Sequence, residues 1–188
     1  MEVRLTAKTA DLARLIAGAE GVETPKMSIA GWIFDPRNDV ETSPPWYIKS
    51  GFLQLFARPA KAETGGRTRF FHYALTFEVH GEPMELVGIK VLRNSPGLDA
   101  WSDTSTVYFE LRRREKTVGR GVLRVPLETF LRDQLPSILI SGTDDSARRS
   151  WALGAFYKFF VTELAHVYAT RAEAIRKMLA HLLTDIHV

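Results

Sequence analysis

The sequence predicts a mainly β protein with C-terminal helices, an α+β fold built on an antiparallel curved sheet or calycin-like barrel of six to eight strands. Three observations predict it. Between residues 26 and 125 apolar residues recur with period two in successive short runs, and no helical pattern separates them, so neighbouring strands must pair antiparallel. Glycines stand inside four of these runs, at Gly31, Gly51, Gly88 and the pair Gly119 and Gly121. Glycine weakens a strand unless the backbone bends or is closely approached there, so its recurrence points to strong curvature or closure. From Asp144 onward the apolar period changes to 3.6, the signature of helix.

Taken in order, residues 1–7 alternate weakly through Val3, Leu5 and Ala7, as an edge strand does. Thr9 then caps a short helix with Leu12, Leu15 and Ile16 at helical spacing and Gly21 past its end. Residues 26–34 form a strand apolar on both faces, with Met27, Ile29, Gly31 and Ile33 opposed to Ala30, Trp32 and Phe34. After the turn material of 35–45, residues 46–57 (WYIKSGFLQLFA) are again apolar on each side, and such strands call for two covering layers. A polar loop with Gly65-Gly66 at its tip leads into 67–80, the longest strand. There Phe71, Tyr73, Leu75, Phe77 and Val79 share one face, while His72, Thr76, Glu78 and His80 share the other.

The chain turns at 80–83, returns along 84–92, passes through a loop at 94–104 and makes a hairpin of 104–114 and 117–125 around Arg114-Glu115-Lys116. Residues 127–134 read as a short helix, and 135–140 as a last strand or an extended connector. In the helical region Leu153, Phe156, Phe160, Leu164 and Val167 share one face. Aromatic residues at 156, 157, 159 and 160 wrap more than one face, which points to contact with a second surface. One unbroken helix from Asp144 to Ile186 would run about 60 Å at 1.5 Å per residue. A break is therefore expected near 168–170, where Thr170-Arg-Ala-Glu173 has the capping-box pattern. Beyond it the stripe of Ile175, Leu179, Leu182 and Ile186 points to a homo-oligomer formed through the C-terminal helices. The whole chain, 1–188, reads as one domain, with a β-rich core at about 26–141 and a helical segment at about 144–187.

Composition narrows the function. At 188 residues and 45% hydrophobic the chain has material for a core. Its net charge of +3 argues against a nucleic-acid partner. The absence of Cys excludes disulfides, thiolate nucleophiles and Cys-ligated metals, and fits the cytoplasm. The first twenty residues are charged throughout, unlike a secretory signal, and no run of 18 apolar residues is present to span a membrane.

The densest group of site-like residues is the loop 94–104, where Asp99 and Asp103 flank Trp101. Two carboxylates and an indole at the mouth of a barrel suit a polar head group or acid–base work; the same residues also cap turns and plug a barrel end. With the aromatic face of the longest strand they give the candidate ligand-binding set: Trp101, Asp99, Asp103, Phe71, Tyr73, Phe77, Phe52 and Phe109. The five His show no metal-ligand spacing, and His72 and His80 lie about 26 Å apart along a strand. No GxSxG elbow or P-loop occurs, and Gly119-Arg-Gly121 lacks the third Gly of a dinucleotide fingerprint. No catalytic residue, metal or cofactor is assigned. The basic hairpin run Arg112-Arg113-Arg114, with Lys116, Arg120 and Arg124, reads either as a phosphate or acidic-partner site or as a solvated edge.

The order Gly88-Ile-Lys-Val, then Ser95-Pro-Gly-Leu-Asp-Ala-Trp-Ser-Asp-Thr-Ser-Thr106, then Gly119-Arg-Gly-Val-Leu-Arg124 resembles an accessory β-rich domain of bacterial glucose-methanol-choline type, cholesterol oxidase-like oxidoreductases. The resemblance extends more loosely from Ala30 to Tyr168. That family's flavin fingerprint lies outside the accessory domain and is missing here. The resemblance implies an association with sterol or lipid metabolism and an oxidoreductase partner, and it carries over no catalytic residue. Two functions are thus expected: a non-catalytic module that binds a lipid or sterol or accompanies an oxidoreductase, or a small cofactor-free isomerase or cyclase using the loop carboxylates.

Overall fold

Seven strands follow one another in an antiparallel meander: β1 (Glu2–Lys8), β2 (Lys26–Phe34), β3 (Trp46–Ala57), β4 (Arg69–Val79), β5 (Glu82–Leu92), β6 (Thr106–Arg113) and β7 (Lys116–Arg124). Helix α1 (Leu12–Ala17) lies between β1 and β2, and α2 (Ser146–Val167) follows the sheet. The structure is a computed structural model. It describes residues 2–17, 24–34, 44–59, 68–93, 105–126, 129, 132–133 and 137–168.

The strand order is the chain order, and β1 and β7 are the two edges, so the sheet is curved and open rather than a closed barrel. Closure would need β1 to pair with β7, and β7 presents Lys116, Arg120 and Arg124 as exposed residues on its edge, which disfavour pairing. Curvature comes from register shifts in the β2–β3, β3–β4 and β6–β7 ladders. Gly31 makes one of them possible: its φ is 149°, and a Cβ there would stand 2.0 Å from the carbonyl oxygen of Arg4. Two tight turns finish hairpins with positive φ, at His80-Gly81 and at Arg114-Glu115.

One face of the sheet, here the inner face, carries α1 and α2. Its rows are Phe71, Tyr73, Leu75 and Phe77 on β4, and Met84, Leu86, Gly88, Lys90 and Leu92 on β5. Near the helices Met27, Leu55, Phe56, Phe71 and Leu92 are buried with Leu15 of α1 and with Phe159, Leu164 and Val167 of α2. Phe56 is the hub, with edge-on rings of Phe71, Phe159 and Phe160 at 4.9, 5.5 and 5.3 Å. A buried ion pair ties α2 to β4, Arg69 Nε donating to Glu163 Oε2 at 3.1 Å. Toward the turn end a second cluster holds Ile29, Ile33, Leu75, Phe77, Met84 and Leu86.

Asp145 caps α2, its carboxylate accepting from the backbone N–H of Ala147 and Arg148 at 2.9 and 3.2 Å. The helix ends at Tyr168, within the expected break. Two sequence expectations change. The cap of α1 is Asp11, which accepts from the Arg14 N–H at 2.8 Å, while Thr9 instead bonds Asp11. Residues 137–140 follow the connector alternative, and Phe156, Phe159 and Phe160, spaced i, i+3 and i+4, pack on the core around Phe56. The outer face needs no covering layer, because Trp32 and Phe52 are half-buried beneath Arg4 (5.1 Å) and Lys26 (4.4 Å). The expected helix at 127–134, apart from residues 129, 132 and 133, and everything after 168 lie outside the described residues.

Candidate functional site

The register decides which candidate residues meet. Tyr73 pairs with Gly88, Gly88 with Phe109, and Phe109 with Gly121, so one inner-face layer alternates large and absent side chains across β4 to β7. A Cβ on Gly88 would sit 3.4 Å from Tyr73 and 3.1 Å from Val107; one on Gly121 would meet the Phe109 ring at 2.5 Å. The two glycines therefore leave room for the two rings. Val107, Phe109, Leu111 and Leu123, the inward residues of β6 and β7, are all only half-buried, whereas Phe71 and Phe77 are 4% and 1% exposed.

Phe71, Tyr73, Phe77 and Phe109 thus share the inner face, but not one pocket. Phe71 packs into the helix-covered core, and Phe77 stacks on Trp46 at 6.0 Å. Phe52 pairs with Ala74, between the inward Tyr73 and Leu75, so it belongs to the outer face, away from the other aromatic candidates. Asp99, Trp101 and Asp103 lie outside the described residues.

The same inward rows bring in a residue that the sequence reading passed over. Lys90 pairs with Phe71 and stands between Gly88 and Leu92 on β5. Its Nζ lies 5.3 Å from the centre of the Phe71 ring. The residue as a whole is half-buried, and burial pushes the amine's pKa down to about 8. Among the described residues no hydrogen bond or ion pair serves this amine, and the Phe71 ring face is its sole polar compensation. Tyr73, diagonal to it, has its hydroxyl pushed well above the ordinary phenol range by burial and likewise lacks a hydrogen-bond partner. The signal was present in the sequence: the period that turns Met84, Leu86 and Leu92 inward also turns Lys90 inward.

Other features of the described residues offer less chemistry. A depression of about 490 Å³, open along much of its rim, is lined by Val79, His80, Glu82, Met84, Arg113 and Val118. Arg113 and Glu82 neutralise each other across it at 2.9 Å. It lies at the turn end, about 20 Å along β5 from Lys90 at 3.3 Å per residue. His72 is on the outer face, edge-on to Phe70 at 5.8 Å, and burial lowers its pKa. In the basic hairpin Arg112 and Arg120 both donate to Glu110, which holds that exposed carboxyl below its usual range and spends the two charges. No group of three His, Asp or Glu among the described residues could hold a metal. No described helix is long and apolar enough to cross a membrane.

No protein family matches this chain, and neither does any curated protein or solved structure.

Proposed function

We propose that this protein is a non-catalytic module that binds a hydrophobic small molecule, a lipid or sterol, on the inner face of its sheet over β5 to β7. One observation supports the reading: the amine of Lys90 and the hydroxyl of Tyr73 are desolvated among apolar groups and have no hydrogen bond or ion pair among the described residues. Unmet polar groups in an apolar setting cost stability, and a ligand with an apolar body and one polar end satisfies both. The half-buried Phe109, Val107 and Leu123 beside the glycine positions supply the apolar wall. An oxidoreductase partner would then deliver or receive the ligand.

Titration with sterols and long-chain lipids, followed by tryptophan fluorescence, tests this, because Trp46 stacks on inner-face Phe77. Saturable binding in the micromolar range or tighter is expected, and a Trp101→Phe variant separates the loop's signal from that of Trp46. A flat titration with every apolar ligand would reject the reading.

A further inference from the structure

We propose that the open edge of β7 is a docking site for an extended acidic segment of a partner protein, which adds to the seven-stranded sheet as a further strand. The inference goes beyond the ligand reading and uses different residues. β7 pairs with β6 alone, so the backbone groups along its other side have no ladder partner among the described residues. Lys116, Thr117, Val118, Arg120, Val122 and Arg124 are all exposed, so solvent reaches this edge from one end to the other. Its charge is one-sided. From 114 to 124 the cations Arg114, Lys116, Arg120 and Arg124 face one carboxylate, Glu115. Glu110 engages Arg120, but Arg114, Lys116 and Arg124 take part in no ion pair among the described residues.

The occupant follows from the two faces of the strand. On the outer face Arg120 and Arg124 flank Val122, and carboxylates placed opposite them on an added strand form stabilising cross-strand pairs. On the inner face β7 offers Gly119, Gly121 and one side chain, Leu123. The Phe109 ring lies against Gly121 and the Leu111 side chain beside Gly119, and both stay half-buried. Apolar residues at alternate positions of an added strand cover them. A segment alternating acidic and apolar residues therefore meets both demands. A second copy of this chain does not: its β7 repeats the same cations, and its other free edge, β1, presents Arg4 and Lys8 as exposed residues. Like charges keep copies apart, and the same charges select a strand of the opposite sign.

The test is a fluorescence-anisotropy titration of the full chain with short capped peptides: one alternating Glu and Val, one alternating Lys and Val, and a fully N-methylated form of the first. Amide hydrogen exchange locates the bound strand. The Glu–Val peptide is expected to bind at least about tenfold more tightly than the Lys–Val peptide at low salt, the summed margin of a few opposite-charge cross-strand pairs. N-methylation should abolish binding, because main-chain hydrogen bonds hold an added strand, and amides of β7 should gain protection. Lys116→Glu with Arg124→Glu should invert the preference between the two charge types. Equal binding of both types, or indifference to N-methylation, would overturn the docking site. So would protection gained on β1 instead of β7, or self-association of the chain in place of peptide binding. Failure of every peptide would overturn it too and leave the lipid reading untouched, since that rests on Lys90 and Tyr73. The wild-type series decides the matter even if the variant does not fold.

Discussion

The inner face of the sheet is two surfaces in one. Around Phe56, three aromatic rings and two helices bury Met27, Leu55 and Phe71, and even the charges there, Arg69 and Glu163, are matched. Across β5 to β7 glycines stand at 88 and 121, the inward side chains of β6 and β7 stay half-buried, and among the described residues the charge of Lys90 meets only the Phe71 ring. A region built for stability buries its side chains and pairs its charges; a region that leaves a charge unpaired gives up stability, which a ligand bound there would return.

The contrast should appear first as a difference in what an aromatic ring is worth. Phe159→Ala, in the covered region, removes a 6% exposed ring from between Phe56 and Phe156 and should cost about 3–5 kcal/mol. Phe109→Ala, in the glycine-lined region, removes a half-buried ring and should cost about 1–2 kcal/mol, because part of its surface never left water. Urea unfolding of the two variants measures both. Equal losses would mean that the two regions are packed alike.

Charges should divide in the same way, with opposite signs. Arg69→Met leaves Glu163 buried without its partner and should destabilise by about 3 kcal/mol. Lys90→Met should stabilise the unliganded chain, by up to about 3 kcal/mol at pH 7. The folded amine titrates near 8 and the unfolded one near 10.5, so between those values the unfolded chain holds more protons and wild-type stability rises with pH. The penalty is complete below pH 8 and gone above about 10.5. Unfolding of wild type and variant at pH 7, 9 and 10.5 should therefore show a gap that closes. A gap independent of pH would mean that Lys90 titrates normally.

How much of this the sequence disclosed follows from the range of each signal. Periodicity is local, and it placed β2 and β3 at residues 26–34 and 46–57, as the structure has them. Whether a meander closes depends on its first and last strands, more than a hundred residues apart, and no local pattern reports that. Phe52 shows the same limit: its strand is apolar on both sides, so only the pairing with Ala74 reveals its face. Lys90 is the reverse case. Its inward phase was legible, but a lysine in a strand is ordinarily read as solvent-facing, and only its desolvation in the fold marks it as unusual.

The smallest expected effect concerns the helix that makes the covered region what it is. α2 reaches the sheet through its second half, at Phe156, Phe159, Phe160, Leu164 and Val167, while Ser146 to Trp151 are exposed. Asp145 satisfies two backbone donors at the exposed end, those of Ala147 and Arg148. Asp145→Ala should therefore cost about 1 kcal/mol, the ordinary worth of an N-cap, and the loss should stay local. Hydrogen exchange resolves this: the amides of Ala147, Arg148 and Arg149 should exchange faster, while that of Tyr168, bonded to the Leu164 carbonyl at 2.9 Å, should keep its protection. If Tyr168 loosens as well, the helix unfolds as a unit, and the covered region depends on its far end.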